Sequence, residues 1–330
     1  MPLHDVNGGW LRHEAADRAG GRPLLQPIDP LASYQDNKRG IISLTAGCAL
    51  FTVTDTVTKI VAFAFPIGEV LFSRALACIF FVAAAFFFAY RSFVIPGAVQ
   101  KLVLLRAVLD AGANATFVVA LMKMRLADLM AINMMSPLVL TMLLAFFFKE
   151  KVGWRRWTAI GVGVGGMLLI VKPGPSTFDV WALVAFSATF FSATRDIVTR
   201  RIDPATPTLV VTLVSLCGVA LAGIGLGAIL DESWAVYSSE YLGLIVIGAL
   251  FLAGGSTLAV SAFRNADASV VAPFRYSLLI WSALAGYFVF GEVSDALSIA
   301  GSLLIVGSGL YMLHRERVRH REIAARSAIR

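Results

Sequence analysis

With 330 residues, 58% of them hydrophobic and 15% charged, and a mean hydropathy of +0.78, the chain holds more apolar side chain than a water-soluble fold can hide. Its net charge of +7 sits mostly in the tails and between apolar runs, as a topology signal does, which argues against a nucleic-acid surface. No G-x-x-x-x-G-K-[ST] loop is present for nucleotide hydrolysis. His4, His13, His314 and His320 all lie toward the ends, so no apolar run carries HExxH or paired-His metal spacing.

Residues 1–39 are polar, contain Gly and Pro, and lack an apolar core of signal-peptide length; they read as a cytoplasmic tail. Crossing a bilayer takes roughly 20 apolar residues per helix. Ten runs qualify: 40–62, 67–90, 102–122, 126–148, 157–171, 180–198, 209–230, 242–263, 269–290 and 297–313, the fifth and tenth being short. Residues 314–330 form a basic cytoplasmic tail, expected as a short helix at the membrane surface. With both termini inside, most Lys and Arg fall on the cytoplasmic side. Only Lys123, Arg125 and Lys172 fall outside, beside Asp128, Asp179, Asp231, Glu232 and Glu240.

The chain also repeats itself. Leu-Ala-Asp (126–128), an apolar run, Lys-Glu-Lys (149–151) and a Gly-rich run recur in order as Asn-Ala-Asp (265–267), an apolar run, Gly-Glu-Val (291–293) and a Gly-rich run. A break at Lys172-Pro-Gly-Pro-Ser176 divides ten spans into five and five. An odd count per half makes the second copy enter from the opposite side. The expected fold is therefore an all-α membrane protein of ten transmembrane helices, in inverted five-helix repeats at 40–172 and 178–313. Gly161/Gly165 and Gly223/Gly227 have small-xxx-small spacing and predict close helix contacts. Phe80, Phe81, Phe86–Phe88 and Phe146–Phe148 read as lipid-facing. Cys48, Cys78 and Cys217 occur singly and read as packing residues.

Charges inside apolar spans ask for a partner or a wet cavity. Asp55 and Lys59 are spaced i,i+4 with the acid first, the favourable order for an intrahelical pair. Arg106, Asp110 and Asn114 share one helical stripe, while Arg74 lies deep in the second span. Glu69, near that span's outer end, reads as solvated, and Arg195 and Asp196 as lying in the cytoplasmic third of the sixth. Pro273 is expected to break the ninth span just before Arg275 and Tyr276, with Trp281 following. Ser136-Pro137, with Asn133, interrupts the fourth, and such matched interruptions point to a transport site. The candidate pathway set is Asp55, Lys59, Arg74, Arg106, Asp110, Asn114, Asn133, Arg275, Tyr276 and Trp281. An alternative reading has Asp55–Lys59 and Arg106–Asp110 as structural pairs. Nothing here calls for catalysis, a metal or a cofactor.

Four stretches carry a resemblance: Glu69-Val-Leu-Phe-Ser-Arg74, Ser136-Pro137, Lys149-Glu-Lys-Val-Gly-Trp-Arg-Arg-Trp157 and Val171-Lys-Pro-Gly174. Over nearly all of 40–313 the chain resembles the EamA branch of the drug/metabolite transporter superfamily. That resemblance implies a ten-helix carrier of the bacterial inner membrane, with cytoplasmic termini and a cavity between its halves. Asp110-Ala-Gly-Ala-Asn114, Thr194-Arg-Asp-Ile-Val-Thr-Arg-Arg201, and Val271-Ala-Pro-Phe-Arg-Tyr276 with Trp281 and Phe290-Gly-Glu292 look similar to bacterial riboflavin transporters. The expected cargo is then riboflavin, taken up; the alternatives are S-adenosylmethionine uptake and amino-acid or metabolite export. Cavity chemistry admits either a flat uncharged ring on aromatics, Arg and Asn, or a zwitterion on Arg and Asp. A membrane enzyme or assembly partner is the distant alternative, and a homodimer is left open.

Overall fold

Helix is the only regular structure among the described residues, because a segment in lipid must satisfy its own backbone hydrogen bonds. The computed structural model describes residues 30–90, 100–147, 153–172, 179–203, 206–266 and 268–328. In chain order the helices are α1 (Pro30–Ala64), α2 (Ile67–Tyr90), α3 (Lys101–Lys123), α4 (Leu126–Asn133), α5 (Ser136–Phe147), α6 (Trp154–Val171) and α7 (Val180–Thr199). They continue as α8 (Thr208–Ile229), α9 (Ser239–Asn265), α10 (Ala268–Val271), a 3-10 turn (Ala272–Tyr276), α11 (Ser277–Phe290) and α12 (Ala296–Ala328).

Seven segments among these are long and apolar enough to cross a membrane: Gln35–Ala64, Ile67–Phe88, Lys101–Lys123, Leu126–Phe147, Thr208–Ile229, Ser239–Phe263 and Ala296–Arg315. Three of the ten expected spans are helical but fall short of that test. Arg155 and Arg156 open α6, Arg195 and Asp196 sit near the end of α7, and α11 has 14 residues behind a broken start. The tail expected over 1–39 is helical from Pro30, and α12 runs unbroken into the basic C-terminal residues. Lys149-Glu-Lys151 and most of the Lys172–Ser176 break lie outside the described residues.

Both expected interruptions are present. The fourth span bends between Asn133 and Ser136, where Pro137 has no amide hydrogen to donate. Pro273 sits in the 3-10 turn that separates α10 from α11. Broken backbone at membrane depth is tolerated where protein or a wet cavity surrounds it.

Helices pack in specific partnerships: α1 on α9, α2 on α8, α3 on α7 and α8, α6 on α12, and α11 on α4 and α1. The buried centre is α4, where Leu126, Leu129, Met130 and Ile132 are at most 1% exposed. Large apolar side chains cover the outside, among them Phe80, Phe88, Phe146, Phe147 and Ile229, as lipid contact allows. Phe86 departs from that expectation and is buried against Val210 and Leu213 of α8.

Glycine contacts follow the expected spacing on one helix and shift on another. Gly223 and Gly227 of α8 meet Gly68 of α2, and a methyl group on Gly223 would stand 2.7 Å from the Phe72 amide nitrogen. On α6, Gly161 and Gly165 face open space, and Gly163 and Gly166 make the contact instead. The reason is the partner: α12 brings Gly301 against Gly166, and that meeting sets which face of α6 turns inward.

Candidate functional site

A cavity of about 530 Å³ lies among α1, α2, α3, α4, α7, α9 and the 3-10 turn. Asp55, Arg74, Asn114, Asn133 and Arg275 from the candidate set all line it, joined by Arg195 and Asp196. Phe51, Phe117 and Phe263 supply aromatic wall, a contribution the sequence did not mark out. Its exposed lining residues, Ser256, Val260 and Phe263 toward the Asn265 end of α9 and Arg275 on the 3-10 turn, mark the end at which the cavity opens.

Arg74 is held on two sides, donating to the Thr58 hydroxyl at 3.2 Å and to the Asn114 side-chain carbonyl at 2.9 Å. Asn114 in turn donates to the Asp110 carbonyl at 2.9 Å. Arg74 is also the cation acting on Asp55. The Asp55 carboxylate accepts no hydrogen bond, and the Arg275 guanidinium has neither a hydrogen bond nor an ion pair, among the described residues. Asp55 and Arg275 thus face one cavity outside any hydrogen bond or ion pair among the described residues, with Arg74 the cation nearest in effect to Asp55.

The expected Arg106–Asp110 pair proves secondary. Asp110 accepts from Arg195 at 2.6 Å, whereas Arg106 stands 4.0 Å away and donates instead to Thr199 and Ser215. Arg195 also grips Asp196 at 3.0 Å. Helix α7 lies against α3, so a cross-helix acid–base pair wins over the in-helix one. The cluster joins α3 to α7 at the edge of the cavity: Asp110→Asn would leave two guanidiniums sharing Asp196, at a cost of about 1–3 kcal/mol. A lowered unfolding midpoint in detergent is expected, partly restored by adding Arg195→Gln. Additive losses in the double variant would contradict the pairing.

The far end is sealed by charge. Lys59 is 2% exposed and donates to the Met124 carbonyl at 2.7 Å and to the Glu292 carboxylate, not to Asp55 as its spacing suggested. Its ammonium also lies 5.0 Å from the Phe290 ring centre. Glu292 accepts from the Leu126 amide at 2.7 Å, which ties the α3–α4 turn to the α11–α12 turn. The in-helix partner loses because Glu292 arrives with a carbonyl, a ring face and a second donor already arranged.

Beside it, Arg125 donates to Asp128 at 2.6 Å and to Asp295 and Ser298 at 3.0 Å each, and Lys172 also binds Asp295. The hydrogen bond from Lys172, with that from the Ser298 amide, holds the Asp295 carboxyl well below the usual carboxylate range. A depressed folded pKa contributes stability above the unfolded value and loses it as pH falls through the folded one, so Asp295 stays ionised near neutrality. Glu69, expected in solvent, is 3% exposed and accepts from the Ala235 amide at 3.1 Å. The 231–238 loop folds over it, with Tyr237 bonded to Ser73 and its phenol pushed up to about 12 by burial.

Tyr276 and Trp281 do not line the cavity. In a 3-10 turn successive residues diverge by about 120°, so Arg275 and its neighbour Tyr276 point apart. The Tyr276 hydroxyl is buried against Gly309 of α12, without a hydrogen-bond partner. Leu278 occupies the cavity-facing position three residues on from Arg275, while Trp281 packs into the core.

These features define a polytopic helical membrane protein whose central cavity sets charged side chains in a largely apolar wall. Residues 38–172 match the model of the EamA-like transporter family. It is 28% identical over 191 residues to an S-adenosylmethionine uptake transporter of Rickettsia bellii, a match covering 56% of this chain and 63% of that one. A riboflavin transporter of Vibrio cholerae is 30% identical, with 58% of this chain and 63% of the relative covered. A pseudopaline exporter of Pseudomonas aeruginosa is 27% identical across 82% of this chain and 94% of its own. The chain thus spans under two thirds of the length of the first two. One crystal structure aligns over 84% of this chain and 95% of its own, with a TM-score of 0.52 and 18% identity, a likeness of fold.

Proposed function

We propose that the chain is a secondary carrier that moves a small metabolite across the bacterial inner membrane through the central cavity. Ten spans in two inverted halves, 40–172 and 178–313, carry it, with both termini cytoplasmic. The helix partnerships support this arrangement. Exchanging the halves turns the α1·α9 contact into α7·α3, and returns α2·α8, α4·α11 and α6·α12 to themselves. The sealed end, which holds Lys123, Arg125 and Lys172, is the periplasmic one by charge bias.

The observation that carries the cargo assignment is the uncommitted pair, Asp55 and Arg275. An uncharged ligand would leave both unpaired once the cavity closes and water leaves, at a cost of several kcal/mol. A cargo bearing a cation and a carboxylate compensates both. S-adenosylmethionine, which the Rickettsia relative's name gives as its cargo, has that chemistry. Riboflavin is the second reading, supported by Phe51, Phe117 and Phe263 as ring-stacking wall and by the Asn114 and Asn133 amides.

Uptake of labelled S-adenosylmethionine and labelled riboflavin by bacteria expressing the chain decides between them. Accumulation of S-adenosylmethionine above empty vector is expected. Riboflavin accumulation alone would overturn the cargo assignment, and failure of a broad metabolite panel would overturn the carrier reading.

A further inference from the structure

Lys59 pairs with a carboxylate from another helix and not with the one four residues before it on its own. It reaches Glu292 at the sealed end, although Asp55 stands one helical turn toward the cavity on the same face of α1. We infer that Lys59 is a gating residue that trades Glu292 for Asp55 when the sealed end opens. The inference rests on the carrier reading above and adds the regulation of its site.

Opening that end requires the α11–α12 turn, which carries Glu292, to part from the α3–α4 turn and from α1. Separation without compensation would strand a cation at a position now 2% exposed, and breaking a buried pair by removing one partner costs about 3–5 kcal/mol. An alternating device needs each arrangement satisfied. Asp55 offers this, because an in-helix partner moves with Lys59 whatever α11 does. The pair has the favourable order, acid four residues before base. The turn itself has a place to flex: Gly291 sits at φ +66°, in the left-handed region, directly between α11 and Glu292.

The exchange also ties the gate to the cargo. With Lys59 on Glu292 the end is closed, and Asp55 is in no hydrogen bond or ion pair among the described residues. With Lys59 on Asp55 the end is open. A cargo cation entering from that side competes for Asp55 and releases Lys59 to Glu292, so binding drives closure. A ligand shifts such an equilibrium by its differential affinity for the two states, and here one carboxylate supplies the difference.

Accessibility measured without cargo tests this separately from transport. In the full-length chain with Cys48, Cys78 and Cys217 replaced, Ala188→Cys places a thiol on the cavity wall at a position 3% exposed. An impermeant thiol reagent is applied to intact cells and to inverted vesicles. Val293→Cys, 67% exposed at the sealed end, reports which side that end faces. Should it label only from the cytoplasmic side, the orientation in the carrier reading fails, and the gate is read from that side instead.

From the side that Val293→Cys identifies, Glu292→Gln should speed Ala188→Cys labelling roughly fivefold or more. Adding Asp55→Asn should cancel that gain, because Lys59 then has no second partner. Equal labelling of Glu292→Gln with and without Asp55→Asn would overturn the exchange, as would no acceleration by Glu292→Gln. Labelling of Ala188→Cys from the cavity's open end verifies folding in each variant, and Asp55→Ser replaces any Asp55→Asn chain that is not recovered.

Discussion

Asp55→Asn and Arg275→Gln should each cut cargo uptake by roughly 10- to 100-fold while leaving membrane insertion intact. Each variant removes one charged contact to the cargo, and a hydrogen bond to a charged group is worth about 1.5–3 kcal/mol. Neither side chain has a hydrogen-bond partner to lose among the described residues, so the fold has little stake in them. Asp110→Asn differs here, since it loosens the α3–α7 cluster and acts through stability. Trp281→Phe marks the other boundary, because Trp281 packs outside the cavity and its loss should change uptake little. Concentration-dependent uptake checks this. The account expects weakened apparent affinity in both charge variants, and unchanged uptake in both would remove the cargo assignment.

The second large effect lies in the helix contacts. A methyl group on Gly166 would stand 2.6 Å from the Gly301 carbonyl, and one on Gly223 would stand 2.7 Å from the Phe72 amide nitrogen. Both obstacles are backbone, which cannot rotate aside, so two packed helices must separate. Gly166→Ala and Gly223→Ala are each expected to cost about 1–3 kcal/mol or more and to reduce the folded fraction sharply. Gly161→Ala, Gly165→Ala and Gly225→Ala should be tolerated, because nothing lies within 4 Å of the added carbon. Size-exclusion profiles of the detergent-extracted variants make the comparison. Equal loss across the two sets would mean that the α6·α12 and α2·α8 contacts are not as described.

Composition and apolar run length made the helical membrane class legible, and Pro137 and Pro273 made both helix breaks legible. These features are local, so their consequences can be read along the chain. Pairings were legible only within a helix. Asp55–Lys59 has ideal spacing, yet Lys59 reaches a carboxylate 233 residues away, and Asp110 takes Arg195 in preference to Arg106 four residues before it. Spacing reports which side chains share a helix face; it does not report what another helix brings to that face.

The same limit explains the glycines and aromatics. Gly161 and Gly165 have contact spacing, but Gly301 selects Gly166. Tyr276 adjoins Arg275 in sequence and points elsewhere, because the 3-10 turn changes the angle between neighbours. Among the candidates, Asp55, Arg74, Asn114, Asn133 and Arg275 meet at one cavity although they come from five separate segments. Charge or amide in an apolar run marked each of them, and that signal survives without knowledge of the contacts. The uncommitted state of Asp55 and Arg275 became visible only once every other partner was in place.

Counterflow in proteoliposomes of the purified chain tests the central claim most directly, since no other protein is present. Vesicles loaded with unlabelled S-adenosylmethionine should accumulate the labelled compound transiently, and the Asp55→Asn/Arg275→Gln chain should not. Equal counterflow by the wild-type and doubly substituted chains, or counterflow of riboflavin alone, would contradict a cavity that holds its cargo between those two charges.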